Sequence, residues 1–221
     1  GALTTKAIEG YAAQEQLVGG VETLFKTSSD TVVGYANDAY KTAGMSANEY
    51  METVTSFSAS LLASMNNDTA AAAEKANVAI TDMSDNANKM GTDISLIQNA
   101  YNGFAKQNYT MLDNLKLGYG GTKEEMQRLL DDASKLSGIK YDISSYSDVV
   151  DAIHVVQTEM GITGTTAKEA STTIEGSVSS MSSAWDNWVA GMADSEANFS
   201  QLTSNLVDSI VTVVGNIAPR V

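Results

Sequence analysis

Cysteine is absent from the 221 residues, which excludes disulfides and thiolate metal sites and fits a protein assembled in a cytoplasm. Proline occurs once, at position 219, so the rest of the chain lacks the commonest helix breaker. Histidine also occurs once, as His154, and a multi-histidine zinc motif such as His-Glu-x-x-His is therefore impossible. Large aromatics are sparse, with 4 Phe and 2 Trp, so the 43% hydrophobic content leans on alanine and each core side chain buries modest area. Basic residues are outnumbered 13 to 27 by acids, and the resulting net charge of −14 repels a phosphate backbone. No nucleic-acid binding is expected.

Long hydrophobic runs are missing too. Ile210-Val211-Thr212-Val213-Val214 is far shorter than the roughly 20 residues that span a bilayer, and no membrane span is expected. The start, Gly1-Ala2-Leu3-Thr4-Thr5-Lys6, has neither the basic nor the apolar region of a signal peptide. Without an initiator methionine the chain reads as a fragment or processed product, with Gly1 either native or a cloning remnant.

What remains is helical patterning. Residues 2–18 read as a helix through Leu3, Ala7, Tyr11 and Leu17, with Gly19-Gly20 as a break or kink. A second helix is expected over 29–43, closed by Gly44 in a left-handed conformation. Ser46 and Glu49 have capping-box spacing and open a third, whose Tyr50, Val54, Phe57, Leu61 and Met65 share one face. Asn66-Asn67-Asp68 forms a turn and cap. Ala76, Ile80, Met83, Ala87, Met90, Ile94 and Ile97 then follow a near-heptad rhythm, which Gly91 and Asp93 split into two helices.

Thr122 and Glu125 make a second capping box ahead of Met126, Leu129, Leu130, Ala133 and Leu136, and Ser137-Gly138 ends that helix. Ile139, Tyr141 and Ile143 alternate with polar residues and predict a short extended segment before a Ser147 cap and a helix carrying Val149, Val150, Ile153 and Val156. Gly161 to Gly164 is a turn, and Thr166 with Glu169 makes another box match. Met181, Trp185, Trp188, Val189 and Met192 form the face of the helix that follows, and Leu202, Leu206, Ile210, Val213 or Val214, and Ile217 stripe the last one. The fold class expected is all-α: a multi-helix, bundle-like domain with short loops and an amphipathic helix at each end. Residues 1–41 form an N-terminal lead-in, 42–193 a compact core, and 194–221 a C-terminal helix leading into further sequence.

Candidate chemistry is thin. His154 sits beside Ile153 on an amphipathic helix with no nucleophile signature, and reads as structural. Glu124-Glu125 and Asp131-Asp132 are adjacent acids pointing about 100° apart, explained by helix capping and dipole effects rather than a glycosidase pair. Gly118-Tyr119-Gly120-Gly121-Thr122-Lys123 has Gly-Thr-Lys where a phosphate-binding loop needs Gly-Lys-Ser/Thr, so Gly118, Gly120 and Gly121 are assigned to a structural turn. No catalytic, cofactor or metal residues are assigned and no cofactor is expected. The one candidate surface is the loop bearing Tyr109, Met111, Leu112, Leu115, Leu117 and Tyr119, more apolar than a solvated loop requires. Either it folds back on the body or it contacts another protein.

The stretch FAKQNYTMLDNLKLGYGGTKEEMQRLL, from Phe104 to Leu130, resembles the core region of bacteriophage tail tape-measure proteins. AYKTAGMSANEYMETVTSFSASLL within Asn37 to Leu62, AITDMSDNANKMGTDISLIQNAY over Ala79 to Tyr101, and AIHVVQTEMGITGTTAKEASTTIEGS over Ala152 to Ser177 look like the same region, in the same order. The resemblance implies a non-enzymatic virion structural protein of a phage or prophage. Its function would be to scaffold tail-tube assembly, set tail length and assist genome ejection. It also implies self-association, partners among the major tail protein, tail-assembly chaperones and tip proteins, and a virion-tail location after assembly in the host cytoplasm. Two alternatives remain: a helical adaptor module presenting the Tyr109 to Tyr119 loop, and a segment of a tail-associated peptidoglycan hydrolase.

Overall fold

Helix boundaries fall where short polar side chains cap free backbone N–H groups. In the computed structural model, which describes residues 1–221, helices are joined by turns and no strand is present. The helices are α1 (Ala2–Phe25), α2 (Ser29–Thr42), α3 (Ala47–Ser64), α4 (Thr69–Met90), α5 (Ile94–Ala105), α6 (Lys123–Ser137), α7 (Tyr146–Glu159), α8 (Thr165–Thr172), α9 (Ile174–Gly191) and α10 (Phe199–Ile217). The chain is all-α and bundle-like. No helix is long and apolar enough to cross a membrane.

The caps show how local sequence sets these limits. Ser46 Oγ accepts from the Glu49 N–H at 3.1 Å, Asp68 from Ala71, Asp93 from Ser95, and Thr122 from Glu125, each relieving one orphan donor of a first turn. Gly91 and Gly138 close α4 and α6 in the left-handed conformation. Gly44 adopts the same region after α2.

Several expectations are corrected. Helix α1 runs unbroken through Gly19-Gly20 to Phe25, because the intrahelical ladder continues and Val21 and Phe25 bury beyond it. The extended segment over 139–143 is a loop: Tyr141 is buried but Ile139 is exposed, so the alternation does not line one face. Leu136 is likewise exposed at the end of α6. The cap of α7 is Ser145, which accepts from Asp148 N–H, whereas Ser147 lies inside the helix and its N–H donates to Ser64 Oγ at 3.1 Å. Thr166 is within α8, and the chain breaks again at Thr173, which caps α9 by accepting from Gly176 N–H.

Contacts divide the chain into two units, 1–52 with 166–221 and 53–165. These boundaries differ from those expected at 41 and 193, because the two terminal helices belong to one packed unit instead of flanking a core. In the first unit α9 packs against α10, α1 and α2. Gly10 of α1 lies so close to α9 that a Cβ there would sit 3.1 Å from Ala190 Cβ. Of the expected bulky face of α9, Val189 is buried and Met181 and Trp188 pack against Tyr40, Ala184 and Leu206, but Trp185 and Met192 are exposed, and small residues, Ser177, Ser180, Ser183, Ala184 and Ala190, make up much of the inward face. Trp188 stacks between Trp185 and Phe199 and donates from Nε1 to Thr203 Oγ1 at 3.1 Å.

In the second unit α4 packs on α5 and α7, α6 on α7, and α5 on α7. Phe57, Leu61, Ile80, Met83, Ile97, Tyr101 and Phe104 are fully buried there, each stabilising by about 1.5–3 kcal/mol where burial is complete. Tyr146 meets Phe57 edge-on and its hydroxyl donates to the Tyr101 carbonyl at 3.1 Å. This clamps the start of α7 to α5.

Candidate functional site

The loop between α5 and α6 turns inward. Tyr109, Leu112, Leu115 and Leu117 are buried, and Met111 and Tyr119 are partly exposed. Tyr109 stacks with Phe104, and its hydroxyl donates to the Ile143 carbonyl at 3.3 Å. A short 3-10 turn over Leu112–Leu115 aims both leucines at the core. Of the six residues singled out as a contact surface, only Met111 and Tyr119 offer surface to a partner.

The glycine turn is held by close approach and by charge. A Cβ on Gly121 would lie 2.2 Å from the Thr110 carbonyl oxygen, so only glycine fits there. Gly118 adopts a φ of 93°, while Gly120 has no positive φ and donates its N–H to Glu125 Oε1 at 3.0 Å. Glu125 thus completes its capping box two residues upstream of the expected N-cap amide. Arg128 binds both carboxylate oxygens of Glu125, donates to the Gly118 carbonyl at 2.7 Å, and lies 4.2 Å over the Tyr119 ring. With Arg128 and the Gly120 amide beside it, the Glu125 carboxyl is pulled down to about 2. The Tyr119 hydroxyl donates to Asp132 at 2.5 Å, and burial together with that carboxylate pushes it up to about 12. These contacts fasten the turn to α6.

A polar seam between α4 and α7 was not visible as a site in the sequence. Asp82, Ser84, Asp85 and Asn86 are all buried, so α4 is enclosed on nearly every side over this turn. Asn86 Nδ2 donates to the Leu115 carbonyl at 2.9 Å and to Gln157 Oε1 at 2.7 Å, while Gln157 Nε2 donates to the Asp82 carbonyl. Asp85 accepts from the Gly164 N–H at 2.8 Å, tying α4 to the turn after α7. The Ser84 hydroxyl, Asn86 Oδ1 and the Tyr101 hydroxyl are buried without a protein partner. The only sequence signal is the polar cluster Asp82, Ser84, Asp85 and Asn86 following the apolar Val78-Ala79-Ile80.

His154 completes the seam. Its Nδ1 is 3.0 Å from both oxygens of Asp82, whose side chain is 1% exposed against 37% for the imidazole. Lys75 pairs with Asp151 beside it. The bond to Asp82 holds the imidazole above its ordinary 6.5 against the opposing effect of burial, and burial raises the Asp82 carboxyl against the pull of His154. Both directions mean that the folded seam holds its shared proton more tightly than the separated groups would. A buried carboxylate orienting a histidine resembles part of a hydrolase triad, but no serine or threonine hydroxyl lies in hydrogen-bond contact with this ring, and no group of acids and histidine is arranged to hold a metal ion. The seam's visible role is to join α4 to α7.

No protein-family model, curated protein sequence or solved structure matches this chain.

Proposed function

We propose that this chain is a structural segment of a tape-measure protein from a tailed phage or prophage, which scaffolds the tail tube, sets its length and assists genome ejection. The sequence resemblance motivates the reading, and the outer face of α10 is the observation that carries it. Leu206, Ser209 and Val213 of α10 are buried, while Val207, Ile210, Val211, Val214 and Ile217, on the flank about 100° round the helix, are exposed. Val207, Ile210, Val214 and Ile217 repeat at alternating steps of three and four, the spacing of a helix–helix seam, with branched side chains at each position. Between Phe199 and Ile217 the only charged residue is Asp208, on a chain of net charge −14. Copies of the segment meet with least repulsion along this stripe.

The partner chemistry is therefore a second copy of this chain, arranged with helices alongside one another as a tail scaffold requires. The major tail protein, tail-assembly chaperones and tip proteins are further partners implied by the resemblance, in a virion tail assembled in the host cytoplasm. An adaptor that presents the Tyr109 to Tyr119 loop is less well supported, since that loop spends most of its apolar side chains on its own core.

Sedimentation equilibrium on the intact chain tests the assembly reading. Apparent mass is expected to rise with concentration, and Val211→Glu with Val214→Glu is expected to hold the protein monomeric at unchanged helix content. A wild-type chain that stays monomeric throughout the accessible range contradicts the proposal.

A further inference from the structure

We propose that the α4–α7 seam is a proton-operated latch, in which protonated His154 is the counter-charge of buried Asp82 and loss of that proton loosens α7 from α4. This goes beyond the assembly reading and stands on the geometry of one unit.

A carboxylate as enclosed as Asp82 is costly to ionise unless a cation or several donors compensate it. The side chain's partner is the imidazole, through Nδ1 at 3.0 Å to each oxygen. Lys75, also on α4, is engaged by Asp151 and acts to lower the affinity of His154 for its proton. On α7 itself Asp151 acts in the opposite sense. Asp85, one turn along α4, and Asp151 both disfavour charge on Asp82, and α5 contributes the buried Tyr101 hydroxyl, which feels both Asp82 and Asp85. No charged group of α6 is among these influences. The balance around the pair is thus acidic, with one titratable cation holding it.

When His154 loses its proton, the tautomer protonated at Nδ1 keeps one hydrogen bond but withdraws the charge. Asp82 is then left negative beside Asp85 in a nearly closed pocket, and its easiest relief is water admitted between α4 and α7. The imidazole sits at the accessible edge of that contact, 37% exposed, so the proton can leave without prior unfolding. Because the folded-state affinity of His154 for a proton is raised, the stabilisation is fully present below 6.5 and is lost as pH rises through the folded value. The raised affinity of Asp82 acts in the same direction at lower pH, since its burial favours the protonated form.

His154 being the only histidine, its ring signals in the intact protein report the latch without ambiguity. Proton NMR titration is expected to place its midpoint above 6.5, and Asp82→Asn is expected to lower it. Amide exchange, corrected for intrinsic rates, is expected to show α7 protection falling over the same interval by up to tenfold per pH unit for one linked proton. The Asp82→Asn variant is expected to lose that dependence. A wild-type midpoint at or below 6.5, α7 protection that is flat with pH, or an equal fall in the variant each overturns the proposal. If Asp82→Asn does not fold, the wild-type titration and exchange data decide the matter alone.

Discussion

Gly121 shows how one position can secure a loop. The Thr110 carbonyl lies where its Cβ would be, and it immediately precedes the Thr122 cap of α6. Gly121→Ala must therefore push two backbone segments apart, and we expect it to destabilise the second unit by about 1–3 kcal/mol, the usual range for overpacking. Urea unfolding checks this, with Gly118→Ala as a comparison that is strained by its φ of 93° but meets nothing in space. Wild-type stability in Gly121→Ala would show that the turn is looser than described. At this scale much could be read directly from the sequence. Ser46, Asp68, Asp93 and Thr122 announce their helices because capping is a short-range competition for N–H groups. Ser145 and Ser147 could not be ranked the same way, since what decides between them is the distant Ser64 hydroxyl that takes the Ser147 N–H.

Among the helices, α4 departs from a single apolar stripe. Buried on nearly all sides from Asp82 to Ala87, α4 depends on side-chain partners rather than solvent for its polar groups. Asn86→Ala would orphan the Leu115 carbonyl and Gln157 Oε1, both of which now accept from its amide. A loss of about 1–3 kcal/mol is expected for each acceptor left buried and unpaired. Thermal or denaturant unfolding measures it, and a near-neutral outcome would mean that the seam relaxes to expose these groups. Helical periodicity identified α4 and its apolar positions, but could not identify this polar turn, because its burial comes from α5, α7 and the loop around Leu115. For α9 the pattern held only in part, with Val189, Met181 and Trp188 turned inward. Trp185 and Met192 stay outside, because close approach to α1 at Gly10 and Ala190 selects small residues along much of the inward face.

Across the whole molecule the all-α class followed from the scarcity of proline and the repeated caps, while the division into two packed units did not. Units 1–52 with 166–221 and 53–165 arise because α1, α2, α9 and α10 associate across more than a hundred intervening residues, a choice that local patterns do not encode. On the tape-measure proposal, the helices of both units would be drawn out end to end when their packing is released. That property is what a length-setting element requires, and the glycine turn, the seam and the α10 stripe would then be devices that hold or release helices.

The most direct test of the proposed tape-measure role is tail length, measured by electron microscopy, in a tailed phage or prophage encoding this chain after in-frame deletion of codons 53–165. Helical material of that length rises about 1.5 Å per residue, so tails shorter by about 170 Å are expected if the segment is part of the ruler. Tails of unchanged length would contradict the length-setting role.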